Sequence, residues 1–160
     1  MKKLMFVALA LTGALAFAQK DKGAPSDPWA GNWKFDAGQS KLHGPPATEE
    51  TIAAEPTGPD HMTVRYTVHG TAADGTAINQ SYDGKADGKP YPLIVNGKEV
   101  AKISYYRDSV NQYSSQSTGA DGGTGTGTII LSNDEKTFVV KEHINDKSGE
   151  YDQVVVYHKK

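Results

Sequence analysis

The sequence predicts an all-β protein, an antiparallel up-and-down barrel of about 8–10 strands. Three observations carry that expectation. Apolar residues recur at every second position in short runs. Turn-forming dipeptides separate those runs at spacings of about ten residues. With 17 glycines and 8 prolines interrupting the chain, no stretch holds the i, i+3, i+4, i+7 apolar pattern of an amphipathic helix.

The first element is an export signal, residues 1–18. Lys2 and Lys3 form a basic start, 4–15 is apolar apart from Thr12 and Gly13, and Ala16-Phe17-Ala18 supplies the small-x-small pattern of a cleavage site. Cleavage is expected after Ala18. The apolar run is shorter than the roughly 20 residues a spanning helix needs, so no membrane span is expected in the mature chain. The location implied is the bacterial periplasm or the medium. Residues 19–28 are polar, carry two prolines and read as a flexible lead. Residues 29–160 then form one barrel domain, a length that can bury a useful core.

Both tryptophans fall in "WAGNW" at 29–33, where the first strand is expected over 31–36. Further strands are expected at 48–54, 61–69, 76–82, 91–95, 99–107, 110–117, 126–132 and 137–144, with 151–158 as a tenth. The clearest is "HMTVRYTVH" at 61–69, where Met62, Val64, Tyr66 and Val68 share one face. "FVVKEHI" at 138–144 and "YDQVVVYH" at 151–158 are rich in β-branched and aromatic residues, as strands prefer. Asp74-Gly75, Asn96-Gly97, Asp108-Ser109, Asn133-Asp134 and "NDKSG" at 145–149 supply the hairpin turns.

One stretch breaks the alternation. From 111 to 128, "NQYSSQSTGADGGTGTGT", only Tyr113 and Ala120 are apolar or aromatic. Either it is a long exposed hairpin projecting past the core, or its small polar side chains line a hydrated interior with room for a ligand.

At Gly31-Asn32-Trp33 the chain resembles the Gly-x-Trp that opens the first strand of lipocalins and related calycin barrels. The resemblance implies that Gly31 and Trp33 belong to the barrel floor, with the indole packed across the closed end. A wider similarity runs through "GNWKFDAGQSKL", "YDGKADGKPYP", "SNDEKTFVV" and "VVYHKK" to an uncharacterised group of secreted bacterial proteins described as lipocalin-like. It implies fold and compartment and no activity. The central Thr-Asp-Tyr-type motif of typical lipocalins is absent. The basic residue that covers the tryptophan in that family would be Lys159, Lys160 or Arg107 here. A ten-strand fatty-acid-binding-protein-like barrel and an eight-strand lipocalin form both remain open.

Composition removes several chemistries. A formal net charge of −2, with no basic run, gives nothing to attract nucleic acid or an anionic membrane surface. The absence of cysteine removes thiol catalysis, thiolate metal sites and disulfides. His43, His61, His69, His143 and His158 show no metal-ligand spacing. "DGKADGK" at 83–89 lacks the ligands of a calcium loop, and no Gly-x-Ser-x-Gly elbow is present. No catalytic residue, metal or cofactor is therefore expected.

The function expected is that of an exported monomer binding a small, partly apolar molecule. The candidate contacts follow from strand parity: Tyr66 with Met62 and Val64, Gln80 and Tyr82 with Ile78, and Tyr105 and Arg107 with Ile103. A two-residue Asp108-Ser109 turn would add Gln112 to the same face. An enclosed Arg107 would favour an anionic head group. Two other classes remain: a protein-binding or inhibitory β module with a filled barrel, and a calycin-type isomerase or hydrolase.

Overall fold

A computed structural model describes residues 27–160; the leader at 1–18 and most of the 19–28 lead lie outside the described residues. Ten strands follow one another: β1 (Gly31–Phe35), β2 (Thr48–Ala54), β3 (Thr63–Thr71), β4 (Ala77–Lys85), β5 (Tyr91–Val95), β6 (Lys98–Ser109), β7 (Gln112–Gly119), β8 (Thr124–Leu131), β9 (Thr137–Asp146) and β10 (Gly149–Lys159). Each pairs antiparallel with the next, and β10 pairs back onto β1 through Trp33↔Lys159 and Phe35↔Tyr157. The meander is thus a closed up-and-down barrel without a free sheet edge. Ten strands resolve the count that the sequence left open.

Local chemistry sets the turns. Asn96 and Gly97 have φ of 49° and 77° between the paired Val95 and Lys98, the two positive angles that a tight hairpin requires. The β6–β7 turn differs from the expectation. It falls at Val110-Asn111, with a register shift between Arg107 and Ser109, so that Arg107 faces Tyr113. A turn at Asp108-Ser109 would have put Gln112 inside and Tyr113 outside. Burial of the Tyr113 ring, 5% exposed, favours the observed register. Asp108 then accepts hydrogen bonds from Gln112 Nε2 (3.2 Å) and Ser114 Oγ (3.0 Å) along the outer face.

The polar stretch at 111–128 is barrel wall. β7 pairs with β6 and β8 along its length, and β8 pairs with β9 from Thr124 onward. Side-chain size is graded along its inner face. Tyr113 and Leu131 are buried at one end, while Ser115 and Ser117 lie opposite Gly127 and Gly125 further up. A Cβ on Gly125 or Gly127 would lie 2.7 or 2.6 Å from the facing serine Oγ, so glycine is what lets the serines turn inward.

The core sits at one end. Trp29, Trp33, Ala86, Tyr113, Leu131, Phe138 and Tyr157 form a buried cluster, held edge-on between Trp33 and Phe138 (4.8 Å) and stacked between Phe138 and Tyr157 (4.7 Å). The last residues of the polar lead are fastened to it. Asp27 accepts hydrogen bonds from the Thr57 amide (2.6 Å), the Thr57 hydroxyl and the Trp29 amide (3.0 Å). Burial works against the Asp27 charge, but the Thr57 and Trp29 hydrogen bonds and the Arg107 charge outweigh it and hold the carboxyl below its ordinary range.

Candidate functional site

Trp33 is fully buried and its Nε1 donates to the Trp29 carbonyl (3.1 Å). Trp29 Nε1 in turn donates to the Val110 carbonyl (2.8 Å), and its ring meets Tyr113 edge-on at 5.1 Å. Of Lys159, Lys160 and Arg107, it is Lys159 that lies over Trp33. Its Nζ is 5.0 Å from the ring centroid and donates to the Pro28 carbonyl at 3.0 Å. Gly31, at φ 130°, leaves the passage for that side chain; a Cβ there would meet Lys159 Cε at 3.2 Å.

Above this layer the barrel is not filled. A chamber of about 500 Å³ reaches from Trp33 to Leu42 and Ala47 of the β1–β2 connection. That connection is pinned by paired Lys41 and Val154 backbone hydrogen bonds (2.8 Å each) and by His43 stacked on Tyr151 at 3.9 Å. A second space of about 240 Å³ lies beside Ser115, Ser117 and Gly125, and shares Ile103, Tyr105, Ser115 and Glu142 with the first. The two spaces therefore adjoin along the Ser/Gly wall.

Three of the candidate contacts line the chamber: Tyr66 from β3, Gln80 from β4 and Tyr105 from β6. Tyr66 and Tyr105 join hydroxyl to hydroxyl at 3.1 Å. Tyr82 stands behind them, 1% exposed, stacked on Tyr66 at 5.5 Å and edge-on to Tyr105 at 5.1 Å, with its hydroxyl donating to the Ile103 carbonyl (3.0 Å). It fixes the two lining rings. Arg107 lies at the floor, donating to the His61 carbonyl (2.8 Å) and the Tyr113 hydroxyl (3.0 Å). Gln112 is on the outer face with Asp108.

Sequence reasoning missed the acidic part of the lining. Glu50 of β2 accepts a hydrogen bond from the Tyr157 hydroxyl (2.5 Å), and Glu142 of β9 accepts one from Gln153 Nε2 of β10 (2.7 Å). The available signal was parity: Glu142 follows Phe138 and Val140 at two-residue steps, and Glu50 precedes Ile52 and Ala54. With Glu55, these carboxylates outnumber the single lining arginine, Arg65. Burial first, then the Glu142 charge, push the Tyr66 phenol up to about 12, against the pull of hydrogen bonds from Tyr105 and Gln80. Burial and the neighbouring Tyr66 and Glu142 raise Tyr105 well above its ordinary value, and burial with Glu50 raises Tyr157.

No protein-family model matches the chain, and no curated protein matches it. Among solved structures, it is similar to a de novo designed fluorescence-activating β-barrel, at 12% identity and a TM-score of 0.45, over 83% of this chain and 94% of that one. A second, described as EF1p2_mFAP2b bound to DFHBI, shows 12% identity and a TM-score of 0.43 over the same shares. Both scores are below 0.5, so the barrel assignment rests on the strand pairing itself.

Proposed function

We propose that this chain is an exported small-molecule-binding barrel whose ligand is partly apolar and enters the chamber above Trp33. The observation that carries the reading is the unfilled interior. A barrel packed through by Val64, Ile78, Ile103 and Val155 would have no room, whereas the chamber of about 500 Å³ falls within the range of roughly 300–1,000 Å³ typical of ligand pockets. Its lining combines aliphatic and aromatic walls with a few convergent polar groups, the combination that orients a ligand without covalent chemistry. Export rests on the basic, apolar and small-x-small succession of residues 1–18.

A neutral solvatochromic dye such as Nile red tests the reading. Micromolar binding with a blue-shifted emission is expected in the wild type. Ser115→Leu places a larger side chain into empty space between the two parts of the hollow, and is expected to weaken the dye by about tenfold or more while the thermal midpoint holds. Arg107→Met is expected to lower stability and leave dye affinity unchanged, because the guanidinium is committed to His61 and Tyr113. Absence of dye binding by the wild type, or unaltered affinity in Ser115→Leu, would overturn the proposal.

A further inference from the structure

The chamber lining carries three carboxylates, Glu50, Glu55 and Glu142, against a single cation, Arg65. Glu50 and Glu142 each receive one hydrogen bond, from the neutral side chains of Tyr157 and Gln153. Among the described residues, no lysine, arginine or histidine forms an ion pair with either. The basic groups nearest the hollow are engaged elsewhere. Arg65, at the chamber lining, is held between Glu55 and Asp83 at 3.0 Å each, Arg107 is held by the floor, and Lys159 lies over Trp33. The smaller space beside the Ser/Gly wall adds Asp121 and Asp146. There Tyr151 donates to Asp146 (3.0 Å), and Lys147 reaches Asp121 at 3.7 Å from a largely exposed position.

Glu50 and Glu142 are half-buried, each keeps an oxygen without a protein donor, and an opposite charge placed beside them is attracted. The chamber supplies a second attraction for the same charge. Tyr66 and Tyr105 both line it, and aromatic ring faces attract cations. An anionic head group would meet Glu50 and Glu142, and the one lining cation, Arg65, is already paired with Glu55 and Asp83.

Resting on the ligand-binding reading, we infer that the chamber selects an amphiphilic amine. Its apolar body lies against Ile129, Val140 and Val155 above Trp33, and its protonated nitrogen sits between Glu142, Glu50 and the rings of Tyr66 and Tyr105. Ser115 and Ser117 leave space beside Glu142 for further hydroxyl or amide groups on the ligand.

Isothermal titration with three matched probes at neutral pH decides the matter: naphthylethylamine, naphthylacetate and naphthylethanol. The wild type is expected to bind the amine at least about tenfold more tightly than the acid and the alcohol. Glu142→Gln, which keeps an acceptor for Gln153, is expected to bring amine and alcohol within about threefold of each other, and Glu50→Gln to narrow the gap part-way. Alcohol or acid binding as tightly as the amine in the wild type would overturn this inference and leave the ligand-binding reading standing. So would an amine preference that survives both substitutions. Binding of none of the three would overturn this inference, and Nile red binding by the same protein would leave the ligand-binding reading standing. The wild-type comparison decides even where a variant fails to fold.

Discussion

Trp33→Ala is expected to destabilise the barrel by about 3–5 kcal/mol, the range seen when a large buried aromatic is truncated. The indole is fully buried, and the graded wall around it offers little that can collapse into the space. Phe138 is held by its own contacts with Trp29 and Tyr157, so the cavity persists. The truncation also leaves the Trp29 carbonyl without its donor and takes the ring from beneath Lys159. Trp29→Ala is expected to cost less. Its ring lies at the edge of the cluster, and its Nε1 bond goes to a carbonyl of the β6–β7 turn, where water can substitute. Total stability for a domain of this size is about 5–15 kcal/mol, so the first variant becomes marginal while the second stays folded. Urea titration checks both: the midpoint should fall far for Trp33→Ala and moderately for Trp29→Ala, at an unchanged slope. Equal and small losses in the two variants would contradict the placement of Trp33 at the centre of the floor.

Parity was the legible part of this chain. Period-two alternation is a local property of each strand, and it placed Tyr66, Gln80, Tyr82 and Tyr105 on the inner face with their aliphatic neighbours. It failed at Gln112 because one extra residue near Asp108 shifts the register. That bulge is fixed by where Tyr113 packs, against Trp29, 84 positions earlier in the chain. No short window contains that information. The polar 111–128 stretch was ambiguous for the same reason. Whether serine and glycine project beyond a core or line a hollow depends on the strands beside them, and here β6 and β9 flank them throughout. Glu142 and Glu50 show a further limit. Each sits on the apolar parity of its own strand, a visible anomaly, but their joint effect arises across β2, β9 and β10. Likewise Lys159, Lys160 and Arg107 were equivalent candidates in the sequence, and only the closing pair Trp33↔Lys159 separates them.

The tyrosines around the chamber predict a steep alkaline limit to the fold. Burial raises the Tyr66 phenol to about 12 and also raises Tyr82, Tyr105 and Tyr157, all against an ordinary value of 10.0. Tyr66 and Tyr105 line the chamber, and Tyr82 is 1% exposed. Below pH 10 these phenols are protonated in both states, and their contribution is intact. Above it the unfolded chain releases the protons while the folded chain keeps them. The folded state then binds more protons than the unfolded one, and stability must fall as pH rises. Each such tyrosine removes about 1.4 kcal/mol per pH unit until its folded value is reached. Four acting together exhaust an ordinary domain stability within about two pH units. Cooperative unfolding is therefore expected between about pH 10 and 12, with tyrosinate absorbance and loss of near-ultraviolet circular dichroism rising as one transition. Tyr82→Phe keeps the ring and removes the proton. It gives up the bond to the Ile103 carbonyl, costing about 1 kcal/mol at neutral pH, and is expected to move the alkaline midpoint upward relative to that lower starting stability. Tyrosinate absorbance developing gradually near pH 10, with the dichroism unchanged, would show these phenols in contact with bulk water and contradict the enclosed arrangement of Tyr66, Tyr82 and Tyr105.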